Sequence, residues 1–172
     1  MNYEFSLVVD QDPTEQAFAG ALFEASEGHL IPEGGGADQN VVHVNVEADT
    51  LAAAITLAVH RVESVGLNVV GVKSDDLVSL KDIAARCGRT YESVRLLASG
   101  KRGPGGFPVP MSTGQWELYS WAEAAMWLST HYGTEGPAIY DREIAAADHL
   151  MRARRMLAGD EHRAELAELV ND

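Results

Sequence analysis

Side chains that donate or accept hydrogen bonds in fixed directions are concentrated between residues 79 and 103. Arg95 carries a planar guanidinium, which can donate two parallel hydrogen bonds to a base edge or a phosphate. Glu92 lies three positions earlier and can accept a hydrogen bond from an amino group. Thr90 and Tyr91 add hydroxyl groups beside them. This set is suited to reversible recognition rather than to covalent chemistry.

Basic side chains and a flexible glycine flank this set. Lysine and arginine can neutralise phosphate charges, and a glycine allows the backbone to approach a ligand closely. A residue at the start of a helix can bind a phosphate beside the free N–H groups there. By these criteria the candidate phosphate ligands are Ser79, Lys81, Arg89, Lys101, Arg102 and Gly103.

Other residues of reactive type form no catalytic or metal-binding pattern. The six histidines include no pair at ligand spacing, and the one cysteine, Cys87, falls on an apolar helix face, as a buried thiol does. The glycines from Gly103 to Gly106 are not followed by the Gly-Lys-Ser/Thr of a phosphate loop. Asp10-Gln11-Asp12 and Asp75-Asp76 could hold a cation, but turn and boundary roles are favoured. We therefore expect no enzyme, no metal and no cofactor.

The segment that carries the polar set has the start and stop signals of two short helices. Ser79-Leu80-Lys81-Asp82 has the form of a capping box, so a helix is predicted from Leu80 to Cys87. Gly88 can turn the chain, and Thr90 can cap a second helix from Tyr91 to Ser99. Two short helices with a central glycine between them are typical of a helix-turn-helix.

The apolar positions agree with this pairing. A small residue, Ala84, stands where the two helices must approach each other closely. The apolar residues predicted to face inward are Ile83, Cys87, Val94 and Leu97. The opposite face of the second helix carries, at helical spacing, Glu92, Arg95 and Ser99.

The order of residues from 77 to 130 resembles the winged helix-turn-helix of excisionase and MerR-type DNA-binding proteins. The small residue, the turn glycine and two inward apolar residues are in register at Ala84, Gly88, Val94 and Leu97. Phe107-Pro108 and Trp116-Glu117-Leu118-Tyr119 stand where the two wing strands are expected, and a capped helix ending in Trp127-Leu128 follows. The whole chain is also similar to uncharacterised actinobacterial helix-turn-helix regulators with an acidic β/α front half.

The resemblance implies sequence-specific binding of double-stranded DNA, with the second helix in the major groove. It implies backbone contacts from the candidate phosphate ligands and base contacts from Thr90, Tyr91, Glu92 and Arg95. Arg95 could bind a guanine, and Glu92 could accept from a cytosine amino group. Plainer roles stay open: a solvated ion pair for Glu92 and Arg95, an ordinary loop for Lys101 and Arg102, and packing within the wing, which is favoured for Trp116.

The net charge of −13 opposes DNA binding, because such binding depends on neutralising phosphates. The distribution of the charge favours it. Residues 77–131 carry six basic and four acidic side chains, whereas residues 1–76 carry two basic and 13 acidic ones. Acidic flanks weaken non-specific binding, so any affinity for DNA must depend on specific contacts.

The composition is that of a globular protein, with 46% hydrophobic and 23% charged residues. The chain has no apolar run long enough to span a membrane, and its start lacks the features of a secretory signal. We expect a cytoplasmic protein that does not bind membranes.

The first 73 residues alternate between strand and helix patterns. Strands are predicted at 3–9, 29–31, 41–47 and 67–73, and helices at 14–26 and 50–65. The order β-α-β-β-α-β predicts an α+β, ferredoxin-like sandwich with helices on one face of the sheet.

Three segments are therefore predicted: an acidic α/β sandwich at 1–76, a winged helix-turn-helix at 77–131 and a C-terminal helical extension at 132–172. Because one recognition helix reads few base pairs, we expect a homodimeric transcriptional regulator. The front half, by a sheet face or edge, is weakly favoured over the C-terminal helix for dimerisation, and it could also bind a small effector or a protein. The alternative is an antitoxin-like or phage-type module whose acidic flanks bind a basic partner.

Overall fold

The computed structural model describes residues 1–34, 40–134 and 139–170. The fold is mixed α+β, with two small antiparallel sheets. The chain divides into two compact units. The first comprises residues 1–73 and the segment from Ala146 onward, and the second comprises residues 74–145. No helix within these described ranges is both long and apolar enough to cross a membrane.

The sheet of the first unit contains β1 (Asn2–Val9), β2 (Leu30–Glu33), β3 (Val41–Glu47) and β4 (Val69–Val72), in the order β2-β3-β1-β4. All neighbouring strands are antiparallel. On β3, Val42, Val44 and Val46 are buried while Asn45 and Glu47 are exposed. This alternation is the one that the sequence pattern predicted, and it gives the sheet one apolar face.

The first unit contains two helices, α1 (Gln16–Ser26), in which Leu22 and Ser26 are buried, and α2 (Leu51–Ser64), which buries one apolar side. Thr50 caps α2 by accepting a hydrogen bond from the N–H of Ala53 at 3.1 Å. The buried side of α2 consists of Leu51, Ala54, Ile55, Ala58, Val59 and Val62. The strand and helix order predicted for this part of the chain is confirmed.

The second unit begins with β5 (Leu77–Val78), α3 (Leu80–Arg86) and α4 (Tyr91–Ala98), followed by β6 (Ser112–Thr113), β7 (Glu117–Ser120) and α5 (Trp121–Tyr132). β7 is the central strand of a three-stranded antiparallel sheet, β5-β7-β6. α5 continues through Tyr132, and Gly133 ends it with a φ of 64°.

The chain ends with α6 (Ile139–Met156), α7 (Arg163–Ala167) and a 3-10 turn at Glu168–Val170. Residues 139–145 of α6 belong to the second unit, and the rest of the helix belongs to the first. The segment predicted as a separate extension at 132–172 is therefore shared between the two units. Side chains of α6 attach it to the first sheet: Asp148 accepts from the N–H of Val72 at 3.0 Å, and Arg154 binds both Glu63 and the carbonyl of Val69.

The edge strands of the first sheet are β2 and β4, and side chains accept hydrogen bonds from the backbone of both. At the β4 edge, Asp148 takes up the outward N–H of Val72. At the β2 edge, the N–H of Leu30 donates to Oγ of Ser26 at 3.1 Å, and Pro32 has no N–H to offer. The outward N–H groups of Val72 and Leu30 are thus bonded within the protein, and Pro32 has none.

Candidate nucleic-acid interface

The start of α3 is fixed by a reciprocal cap. The N–H of Asp82 donates to Oγ of Ser79 at 3.2 Å, while the N–H and the hydroxyl of Ser79 donate to Oδ2 of Asp82 at 2.9 and 2.6 Å. These bonds hold the pKa of Asp82 below its usual value. The predicted capping box is confirmed. The Ser79 hydroxyl, predicted to contact a phosphate, is therefore already bonded to a carboxylate.

A short turn joins α3 to α4. Gly88 has a φ of 65°, which only glycine adopts at little cost, and the N–H of Arg89 donates to the carbonyl of Ala84 at 2.9 Å. Thr90 then caps α4 by accepting from the N–H of Ser93 at 3.2 Å. The predicted sequence of helix, glycine turn and capped helix is confirmed.

One side of this helix pair lies in the core of the second unit. Ala84 is buried where the helices meet. The inward residues Ile83, Val94 and Leu97 are buried in the same cluster, and Cys87 is partly buried against it. Phe107, Tyr119 and Trp127 complete the cluster, with Phe107 in edge-to-face contact with both other rings. The inward positions predicted from the sequence are confirmed.

The opposite face of α4 points to solvent and carries Tyr91, Glu92 and Arg95, which we call the α4 face. Arg95 donates from Nε and Nη2 to the two carboxylate oxygens of Glu92, at 2.9 and 2.7 Å. These bonds lower the pKa of Glu92 and raise that of Arg95. Both side chains stay largely exposed, so a ligand can reach them.

Lys101 and Arg102 follow the end of α4 and are exposed. Gly100, with a φ of 67°, ends the helix, and the N–H of Arg102 donates to the carbonyl of Leu96 at 3.2 Å. The charge of Lys101 contributes to the lowered pKa of Glu92, so Lys101 lies within electrostatic reach of the α4 face. The structure thus brings Lys101 near Glu92 of the predicted base-contacting residues.

Gly103 is a glycine for reasons of internal packing. Its φ is 85°, and a Cβ at this position would lie 2.7 Å from Cδ2 of Leu97 and 2.7 Å from the Tyr132 hydroxyl. The sequence predicts that Gly103 lets the backbone approach DNA closely. The geometry provides a sufficient reason within the protein itself.

Arg89, another predicted phosphate ligand, contacts an aromatic ring. Its guanidinium lies 4.3 Å from the ring centre of Tyr132, and its side chain is half-buried. Arg86 stacks similarly on Trp121, at 5.1 Å. Among the basic residues predicted to contact phosphates, the exposed ones are Lys81, Lys101 and Arg102.

The strands of the hairpin differ from those predicted. Phe107-Pro108 was expected to form a strand, but the first strand is Ser112–Thr113. Pro108 and Pro110 have no N–H for a ladder, and Phe107 points into the core instead. The predicted return strand is confirmed at Glu117–Ser120.

Trp116 is exposed, and the expectation that it packs within the hairpin is wrong. It lies at the turn between β6 and β7 with 74% of its surface accessible. Val109 and Met111, in the segment before β6, are 77% and 50% accessible. The sequence signal was the position of Trp116 after Gly114-Gln115, which is typical of a turn rather than of a core strand.

The hairpin and the start of α3 lie at the same end of the small sheet. β5 is antiparallel to β7, with Val78 opposite Tyr119, so the chain leaves β5 for α3 at the end where β7 begins. The pKa of Tyr119 is raised to about 12. Burial is the largest cause, the neighbouring Glu117 is the next, and the charge of Tyr91, at the start of α4, is the smallest.

Asp76, which the sequence predicts to mark a turn or a boundary, binds the start of α5. Its buried carboxylate accepts from the N–H of Ala122 at 2.8 Å, and its carbonyl accepts from the N–H of Trp121 at 2.7 Å. With Ser120, which accepts from Glu123, it caps α5. An acidic residue so far from a helix in sequence carries no local capping signal.

No group of three or more His, Cys, Asp or Glu side chains is placed to hold a metal ion within the described ranges. In comparisons with known proteins, no family model, no curated protein and no solved structure matches this chain.

Proposed function

We propose that the second unit is a winged helix-turn-helix that binds double-stranded DNA sequence-specifically. The observation that carries the proposal is the two-sided character of α4, whose Val94 and Leu97 are buried while Tyr91, Glu92 and Arg95 are exposed. A short amphipathic helix, held by a preceding helix and with its N-terminal residues exposed, has the form needed to enter a major groove. The β6–β7 hairpin is the proposed wing.

Arg95 is the proposed principal base contact, through two parallel hydrogen bonds to a guanine edge. Its bond with Glu92 does not prevent this role, since exposed ion pairs contribute little to stability and exchange readily. On binding, Glu92 would turn to a cytosine amino group while Arg95 turns to guanine. Lys81, Lys101 and Arg102 are the proposed phosphate contacts.

The first unit is proposed to be a ferredoxin-like sandwich, because a β-α-β-β-α-β chain with strand order β2-β3-β1-β4 has the order of that fold. We propose that it makes the protein a homodimer. Because Leu30 and Val72 already donate their outward N–H groups and Pro32 has none, we propose the sheet face rather than an edge as the pairing surface. An effector could bind the same unit, but no observation favours one.

The alternative function is an acidic module that binds a basic protein, in which Arg95, Lys101 and Arg102 could be buried or neutralised by Glu117 or Glu123. The described contacts are different. Glu117 accepts from the Tyr119 hydroxyl at 3.2 Å, and Arg95 is paired with Glu92. Lys101 and Arg102 are exposed. These contacts support DNA as the partner of the second unit.

The experiment is selection of bound duplexes from a random-sequence pool, followed by mobility shift at two salt concentrations. We expect enrichment of a two-fold symmetric site and loss of its binding in Arg95→Ala. Arg155→Ala, which removes an exposed arginine from α6, is the matched control and should bind like the wild type. Absence of any bound duplex at low salt would reject the proposal.

A further inference from the structure

Three polar side chains on the first sheet form one hydrogen-bonded chain, on the face opposite to the buried valines of β3. Ser6 of β1 is paired with His43 of β3, and Glu33 belongs to β2, on the other side of β3. Nδ1 of His43 lies 2.9 Å from Oγ of Ser6, and Nε2 of the same ring lies 2.5 Å from Oε2 of Glu33. No local motif joins these positions in sequence, and the pairing of three strands brings them together.

The types of these groups determine where the protons lie. A carboxylate can only accept, so Nε2 of His43 carries the hydrogen that bonds Glu33. In a neutral imidazole the other nitrogen, Nδ1, then accepts from the Ser6 hydroxyl. The bond from His43 is the largest cause of the lowered pKa of Glu33, which keeps this carboxylate ionised. The three groups are aligned as in a serine triad, with the two ring nitrogens exchanged.

Burial does not account for this chain of hydrogen bonds. The side chains of His43 and Glu33 are 41% and 69% exposed, so water could satisfy either of them. A cavity of about 390 Å³ is lined by Ser6 and His43, together with Ile31 and Asn45. Cavities of this size bind small molecules. The serine and the imidazole therefore border space that a substrate can occupy.

We propose that Ser6 is a nucleophile for acyl transfer and that this cavity binds small carboxylic esters without negative charge. His43 is the base, and Glu33 is a positioning residue that holds the imidazole ring. Ile31 is paired with His43 and is 58% exposed, so it offers apolar surface to the acyl group. The carboxylates of Glu4, which also lines the cavity, and of Glu33 would repel an anionic substrate.

The reaction begins when Oγ of Ser6 attacks the carbonyl carbon of the ester and the hydroxyl proton passes to Nδ1 of His43. The bond from the carbonyl carbon to the alkoxy oxygen then breaks, and the leaving alcohol takes the proton from His43. A water molecule attacks the acyl group on Ser6 and gives one proton to His43, which returns it to Oγ. The products are a carboxylic acid and an alcohol, and the serine is restored.

Asn45 is the proposed donor to the carbonyl oxygen, which becomes negative during the attack. It lines the same cavity and lies two residues after His43 on β3, on the same face of the sheet. Its Nδ2 donates to Oε1 of Glu4 at 3.1 Å, a bond that it would exchange for the substrate oxygen.

The test treats the full chain with a fluorophosphonate, in which the oxygen of an activated serine displaces fluoride from phosphorus. The chain is kept dilute enough to be monomeric, because copies that paired through this sheet face would cover the cavity. Mass spectrometry should find the adduct on Ser6. Ser6→Ala should abolish it, and His43→Gln should slow its formation about a hundredfold. Ser64→Ala removes an exposed hydroxyl that donates to a backbone carbonyl of α2, and this control should react like the wild type.

Glu33 is tested by two substitutions. Because the Glu33 side chain is largely exposed, its ion pair is weak, and Glu33→Ala should slow labelling only about fivefold. Glu33→Gln keeps an oxygen that accepts from Nε2 of His43, so it should recover most of the rate. Release of nitrophenolate from nitrophenyl acetate should rank the variants in the same order. Equal thermal midpoints would show that the fold is kept.

Three results would overturn the inference. A folded wild type that takes up no label would reject Ser6 as a nucleophile. An adduct that persists in Ser6→Ala would assign the reactivity to another residue. Labelling that is unchanged in His43→Gln would show that the hydrogen-bonded chain does not activate the serine. The inference is separate from DNA binding by the second unit, and Ser6→Ala should select the same duplexes as the wild type.

Discussion

The two units use their polar and apolar surface groups differently. In the first unit, His43 binds both Ser6 and Glu33, Arg154 binds Glu63, and Asp148 takes up a strand N–H. In the second unit, the α4 face, the following cations and the apolar residues of the hairpin are exposed to solvent. In the first unit these polar side chains bind within the unit, whereas the second unit presents exposed polar and apolar side chains, which we propose bind DNA.

The largest effect is expected from removing a core residue beneath the α4 face. Leu97→Ala leaves a cavity among Ile83, Val94 and Tyr119, which should lower the free energy of unfolding of the second unit by about 2–5 kcal/mol. Denaturant titration should show this loss, and DNA binding should weaken with it. Leu166→Ala, at a partly exposed position of α7, is the control; an equal loss there would contradict the separation of surface and core.

A smaller loss is expected from opening the sheet edge of the first unit. Asp148→Ala leaves the N–H of Val72 without its partner, which should cost about 1–3 kcal/mol. The freed edge should also make the protein self-associate, measurable by light scattering. Glu143→Ala, at an exposed position on the same helix, should do neither.

Alkaline pH should destabilise the second unit through Tyr119. Its pKa is raised to about 12 in the folded chain from an ordinary 10.0, so the folded state holds a proton that the unfolded chain releases. The stability contributed by Tyr119 is therefore present below pH 10 and falls as the pH rises from about 10 to about 12. Absorbance titration of the phenolate and denaturation of Tyr119→Phe across this range check the prediction, since the variant should lose less stability.

The smallest effect concerns a single phosphate contact. Lys101→Gln should leave the choice of site unchanged and weaken binding to all duplexes alike. The slope of the logarithm of the binding constant against that of salt should become less steep by about one. A changed sequence preference in this variant would mean that Lys101 contacts a base instead.

The sequence predicted the elements whose signals are local. The alternation on β3, the capping box at Ser79 and the glycine turn at Gly88 were all recognised and are present. Ala84, Val94 and Leu97 were placed inward because helical spacing determines which residues share a face.

The missed features depend on contacts between residues distant in sequence. Asp76 caps a helix that begins 45 residues later, and Asp148 closes the β4 edge at Val72, 76 residues away. Gly103 is required by Leu97 and Tyr132, which only the fold brings together. The exposure of Trp116 differs from the prediction because an aromatic residue next to a strand favours packing, whereas the turn presents this one to solvent.

The most direct test of the account is the nitrogen–proton correlation spectrum of the full chain, recorded while a short duplex enriched by selection is added. We predict that the shifted signals belong to α4, to residues 100–103 and to the indole of Trp116, while those of α1 and α2 change little. Shifts confined to the first unit, or no shifts at low salt, would contradict the claim that the second unit carries the recognition surface.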